Sequence, residues 1–282
     1  MIKNIFFIIL IITVSLGAVM GFARFLFFMK VKSEVRELFR EVRVSEAKVI
    51  EETDLDGLPE PVQRYLRFTG IIGKKEIRCA RFRQQGHFRT DVKQEWFPLD
   101  AAQYVATEMP GFIWFAHMHM APLVTVSARD RLSEGRGNML VKLLSLVRLA
   151  DAAGKEIDQG TLLRYLGEMV WYPTAFLNRN IRWEPVDSRS ARVIFTDGNM
   201  TVSGLFIFGD GGEVTSFKAR RYMSSGNAST LEDWSAEIHD YREVDGIRIP
   251  RSAEVIWHLE AGDFSYARLE ISDARFNVPE PY

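Results

Sequence analysis

The hydrophobic pattern changes character twice along the chain. From Ile5 to Ala23, 19 consecutive residues carry no charge. At 1.5 Å per residue that run is about long enough to cross a ~30 Å hydrocarbon core. Arg24 interrupts it, but Phe25 to Met29 stay apolar up to Lys30, and an arginine near a helix end can snorkel to the interface. The pattern predicts a single-pass transmembrane anchor over residues 1–29. The alternative is a cleaved signal peptide with Gly21 and Ala23 before the cut, but the apolar run is long for one and resumes after that site. Next, Val35, Leu38, Phe39 and Val42 repeat at i, i+3, i+4 and i+7. This predicts a helical stalk over 30–53, its stripe lying on the bilayer or on the domain. Pro59 and Pro61 break it, and Pro61 suits the first turn of a short helix over Val62–Phe68 that Gly70 stops.

From Glu76 onward the dominant period is two. Phe112, Trp114, Ala116 and Met118 alternate with Ile113, Phe115, His117 and His119, so this strand begins apolar on both faces and is expected to be covered on both. Further strands are expected over Leu123–Arg129 and Asn138–Val147, then from Ile181, Ala191, Thr201, Glu213, Leu231, Ile247 and Ala267. Asp210-Gly-Gly and Asp245-Gly read as hairpin turns. One helix near 158–172 interrupts them, with Leu162, Leu163, Leu166, Met169 and Val170 as its apolar stripe and Pro173 as its stop. The fold class is therefore mainly β. Residues 54–282 are expected to form a curved, largely antiparallel sheet or half-barrel, because so many strands must curl to bury one face. The internal helix is the natural plug for its concave side.

Charge and composition narrow the function. The 282 residues carry 36 Lys+Arg against 37 Asp+Glu, without the basic excess of a nucleic-acid binder. Cys79 is the single cysteine, which excludes an internal disulfide and a multi-cysteine metal site. Arg24, Lys30, Lys32, Arg36 and Arg40 outweigh Lys3 across the anchor and lean the domain towards the cytoplasmic side. Large domains also translocate regardless of such charges, so the side of the membrane stays open.

Tyr165-Leu-Gly-Glu-Met-Val-Trp-Tyr-Pro-Thr-Ala and Asp240-Tyr-Arg-Glu-Val-Asp-Gly-Ile-Arg-Ile-Pro, with Leu58-Pro-Glu-Pro-Val-Gln-Arg-Tyr-Leu and Gly111-Phe-Ile-Trp, carry a resemblance. The chain from Leu58 to Phe276 resembles an uncharacterised family of bacterial membrane-anchored proteins, a domain of unknown function with a Tyr-Leu-x-Glu-x-x-Trp-x-Pro-x-Ala core. That resemblance brings no established activity. More distantly, the C-terminal half is similar to the lipoprotein-carrier (LolA/LolB-like) fold, which implies a curved sheet around a hydrophobic cavity.

The candidate chemistry is sparse. Arg164 and Glu168 are i, i+4 on the internal helix and can pair; Trp171 is expected on the same side. They could line a ligand cleft or form a structural ion pair. With Tyr165, Trp114, Trp234 and Trp257 they make the candidate ligand-binding set, since aromatics in a curled sheet can wall an apolar cavity as well as fill a dry core. His117 and His119 share a strand face and are weak metal candidates that lack a third ligand; no cofactor or metal is implied. Three readings follow. The first is a tethered binding module for a lipid, acyl chain or lipoprotein segment, with the lipid bilayer as partner. The second is a membrane-associated hydrolase using Glu168 with Arg164, or the pair His117/His119. The third is an envelope assembly scaffold. A hydrolase joining Glu168 to the histidines requires them to converge in one pocket.

Overall fold

A computed structural model describes residues 2–122, 124–225 and 228–282; Leu123, at the start of one expected strand, lies outside them. The chain forms α1 (Ile2–Leu38), α2 (Glu60–Thr69), strands β1 (Cys79–Phe88), β2 (Phe97–Ala106), β3 (Gly111–Ala121), β4 (Val124–Ser133), β5 (Arg136–Leu143) and β6 (Val147–Ala153). These are followed by α3 (Lys155–Glu168), β7 (Ile181–Asp187), β8 (Ser190–Asp197), β9 (Met200–Phe208), β10 (Val214–Ser225), β11 (Ala228–Val244), β12 (Ile247–Leu259) and β13 (Gly262–Phe276). All thirteen strands join one antiparallel sheet in the order β6-β5-β4-β3-β2-β1-β13-β12-β11-β10-β9-β8-β7. The β1–β13 pairing stitches a six-stranded wing to a seven-stranded wing.

The sheet curls around α3, which packs against β4 to β6 on one side and β9 and β10 on the other. Leu162, Leu163, Leu166, Met169 and Val170 are all buried, as their spacing requires. Past Glu168 the chain tightens into 3₁₀ turns over Met169–Trp171 and Pro173–Leu177. The helix thus ends before the expected Pro173, and that proline opens a turn because its fixed φ suits a first helical position. α2 begins at Glu60, with Pro61 in its first turn, and ends on left-handed Gly70 (φ 74°).

One end of the half-barrel is closed. Tyr65 of α2 packs on Phe176 and Phe208, with ring centroids 4.9 and 6.0 Å apart, and Ile50, Leu55 and Ile71 complete that seal. Phe112, Leu132, Ile249 and Ile271 there are 0% exposed, whereas Met118, Val126, Val255 and Leu269, further along the same strands, keep 7–9%. At the strand tips Phe88, Leu143 and Leu259 are only partly buried. The concave face thus carries an apolar wall, shut at the β3 start and less covered at the β3 end.

β3 is covered on both faces, as its alternation demands. Phe112, Trp114, Ala116 and Met118 enter the main core. Ile113 and Phe115 form a second core with Phe27, Val31 and Val35 of α1 and with Phe39 just beyond it. The stripe beyond the apolar run therefore lies on the domain. The expected stalk over 30–53 is corrected: the helix stops at Leu38, and short 3₁₀ turns at Val44–Glu46 and Glu52–Leu55 follow. Leu38 abuts Gly111 at the closed end, and there the chain turns off the convex face. A buried pair, Arg129 Nε to Glu34 at 3.1 Å, pins α1 to β4. From Ile5 to Leu26 the helix is largely exposed, and a window of it has mean hydropathy 2.7. It is long and apolar enough to cross a membrane.

Candidate functional site

One set of polar side chains on the concave face forms a ladder. Trp114 Nε1 donates to Gln84 Oε1 (2.7 Å), Gln84 Nε2 to Gln103 Oε1 (2.7 Å), and Gln103 Nε2 to Glu168 Oε2 (2.5 Å). Arg164 Nε donates to Glu168 Oε1 (2.8 Å) and its terminal nitrogen to Asp130 Oδ2 (2.7 Å). The Arg164 guanidinium also lies over the rings of Trp114 and Phe112, 4.6 and 5.1 Å from their centroids. Burial alone would depress the arginine pKa, but Glu168 and Asp130 outweigh it and raise the value. Glu168 accepts from Gln103 through one oxygen and from Arg164 through the other, which fixes it within the ladder.

A second inner group stands further along the wall. Tyr266 Oη accepts from Arg221 and from Trp234 Nε1, each at 3.2 Å, and its ring stacks on Trp257. Arg221 stands opposite Glu232 in the β10–β11 register, yet makes no carboxylate contact within 4 Å among the described pairs. Of the sequence-derived set, Arg164, Glu168 and Trp114 share the ladder, while Trp234 and Trp257 join the Tyr266 group. Tyr165 and Trp171 do not meet them through any polar contact. Tyr165 faces the core beside Tyr172 and Phe195. Trp171 packs on Phe82, and its indole N–H finds no partner among the described residues. The expected side of Trp171 assumed a continuous α-helix, and the switch to a 3₁₀ turn after Glu168 rotates it away.

Residues 48–269 match the family of unknown function DUF6544. The chain belongs to that family. Both polar groups of this DUF6544 member lie inside the matched span. No curated protein shows significant similarity to it. Three solved structures are similar in fold at low identity. One is described as an outer membrane lipoprotein-sorting protein domain from Vibrio parahaemolyticus (10% identity, TM-score 0.40, 78% of this chain and 92% of that one). Another is a DUF1329 family protein from Desulfovibrio piger (10%, 0.42, 77% and 92%). The third is a LolA superfamily protein from Nitrosomonas europaea (9%, 0.40, 77% and 94%).

The histidine pair of the DUF6544 chain lies on the other face. His117 Nδ1 bonds Ser127 Oγ (2.9 Å), and His119 approaches Asp100 at 3.4 Å. Burial first, then the charge of Arg24, pushes His117 down to about 4. Glu168 is on the concave side and the histidines on the convex side, so a catalytic site joining them is excluded by the sheet itself. Among the described residues no three His, Cys, Asp or Glu side chains converge as metal ligands. Burial pushes the Cys79 thiol up to about 12, which leaves it protonated and inert.

Gln84, Gln103, Asp130, Arg221 and Tyr266 were not singled out from the sequence. The signal was available: Gln84 follows Phe82 by two, Gln103 precedes Val105 by two and Asp130 precedes Leu132 by two. Each is a polar residue at the period-two position of a core face, where it needs partners.

Two cavities lie outside this interior. One of about 560 Å³ opens between α1 and the convex face, lined by Arg24, Lys32, Arg83, Asp100, Tyr104 and His117 among others. The other, about 430 Å³, sits on the outer face of β1, β13 and β12.

Proposed function

We propose that the chain is a membrane-tethered binding module whose half-barrel takes the apolar part of a lipid, acyl chain or lipidated segment through its open end. The observation that carries this reading is the burial gradient along the concave face: sealed by α2 at one end, apolar and partly exposed at the other. The polar ladder and Arg221 supply donors for a ligand's polar group beside that apolar wall. α1 is the tether, by length, hydropathy and exposure. Entry of a chain-length ligand requires the wings to part, since the tryptophans pack the interior and neither cavity is walled by them.

Native mass spectrometry of the full chain released from mild detergent is expected to show a co-purifying apolar ligand. A fluorescent fatty acid should bind the wild type and be rejected by Val255→Trp, which fills the open half. An unliganded chain that ignores the fatty acid, with Val255→Trp indistinguishable from wild type, overturns the reading.

A further inference from the structure

α1 has a fixed direction relative to the mouth of the half-barrel. Leu38 touches Gly111 at the start of β3, and Phe27 packs edge-on against Phe115 at 5.3 Å. Gly21 and Arg24 share a groove with His117. The helix therefore runs antiparallel to β3, and its exposed apolar length continues past the open end. From His117 to Met120 the strand advances about 10 Å, at roughly 3.3 Å per residue. The same distance takes α1 from Arg24 back about seven residues, at 1.5 Å each, to the neighbourhood of Gly17. The β3–β4 tip thus lies at most about 10 Å inside the level where the uncharged run ends, the depth at which interfacial elements sit.

Among the described residues, the tips at that level carry most of their exposed large apolar side chains on the α1 side. Met120 and Val124 flank the β3–β4 turn, and Leu146, Val147 and Leu149 the neighbouring β5–β6 turn, at 38–56% exposure. Half of the exposed large apolar residues described outside α1 fall on these two adjacent tips. The β12–β13 tip is Glu260-Ala-Gly-Asp263, all exposed. Behind the apolar tips the groove holds Arg24, Lys32 and Arg83, which make no ion pair among the described residues, against one acidic side chain, Asp100. Three cationic side chains against one anionic one, beside a membrane helix, suit lipid phosphates. His117 adds no charge there at neutral pH.

We propose that the β3–β4 and β5–β6 tips insert into the leaflet from which α1 emerges, with the groove of Arg24, Lys32 and Arg83 at the depth of anionic lipid phosphates, so that the mouth of the half-barrel faces the bilayer. This rests on the reading of α1 as a membrane span and names the source from which the binding module draws its ligand.

The test uses the full chain in phosphatidylethanolamine/phosphatidylglycerol vesicles, with a polarity-sensitive dye on V124C, V147C or L149C at the tips, G17C in α1 and E260C on the polar tip. Cys79 is fully buried and stays unlabelled. Dye at G17C and at the three tip positions should be blue-shifted and quenched by spin-labelled lipid, and dye at E260C should stay water-like. A water-exposed G17C overturns the spanning reading and this proposal with it. A lipid-embedded G17C with water-exposed tips overturns the insertion alone and marks the tips as a protein-facing surface. In vesicles where phosphatidylcholine replaces phosphatidylglycerol, tip quenching should weaken several-fold; equal quenching overturns the groove's role in holding anionic lipid.

Discussion

Arg164 is the hinge of the inner ladder, because two carboxylates depend on it. Arg164→Leu strands Asp130 and Glu168 in the core. It should cost about 3–5 kcal/mol, the usual consequence of leaving a buried charge unpaired. Glu168→Gln keeps a hydrogen-bonding group beside Gln103 and leaves Arg164 paired with Asp130, so it should cost about 1 kcal/mol. Denaturant unfolding of the full chain in detergent separates the two. On the convex face His117 makes stability depend on pH. Its folded value, about 4, lies below its ordinary 6.5, so the unfolded chain takes up the proton first as pH falls. This contribution is complete above about pH 6.5 and is lost progressively down to about pH 4. His117→Gln, which can still bond Ser127, should flatten that part of the stability profile relative to wild type.

Among elements, the docking of α1 is the most specific. An apolar stripe alone would let the helix slide or rotate on β3, since dispersion contacts have little direction. The Glu34–Arg129 pair fixes its register, with side chains only 12% and 4% exposed. Glu34→Ala should cost about 3–5 kcal/mol by orphaning Arg129. A double change to Leu at Glu34 and Met at Arg129 should recover most of that loss, as buried pairs often exchange for apolar residues. Thermal unfolding of the two single variants and the double variant closes the cycle. The stripe of Val35, Leu38, Phe39 and Val42 was visible in the sequence. Its partner was not, because Ile113 and Phe115 lie about 75 residues further on and could equally have faced another helix.

At the scale of the molecule, one helix has an exposed apolar half and a half docked on the sheet. Burial of α1 begins at Phe27, so a chain beginning at Leu26 should keep the second core and the folded half-barrel while losing its grip on membranes. Circular dichroism, thermal unfolding and flotation with vesicles check this; a collapsed or aggregated product would mean that the exposed half of α1 also supports the fold. The rigid join between helix and domain fixes which way the mouth points. A flexible linker in place of that join would leave the orientation free.

The sequence by itself determined the anchor-like run, the mainly β class, the turns at Gly70 and Asp245-Gly, and the double coverage of β3. These follow from local sterics and from periods of 2 and 3.6, which need no knowledge of distant partners. It also paired Arg164 with Glu168, because i, i+4 neighbours on a helix meet in any fold. The tertiary structure decided where the stalk helix ends, which way Trp171 turns and that Glu168 and His117 face opposite sides of a sheet. It also supplied Asp130, Gln84 and Gln103 to the ladder and set the direction of α1 across the mouth. Those depend on register and on contacts between residues far apart in sequence, and the alternation of side chains specifies faces without saying what each face will meet.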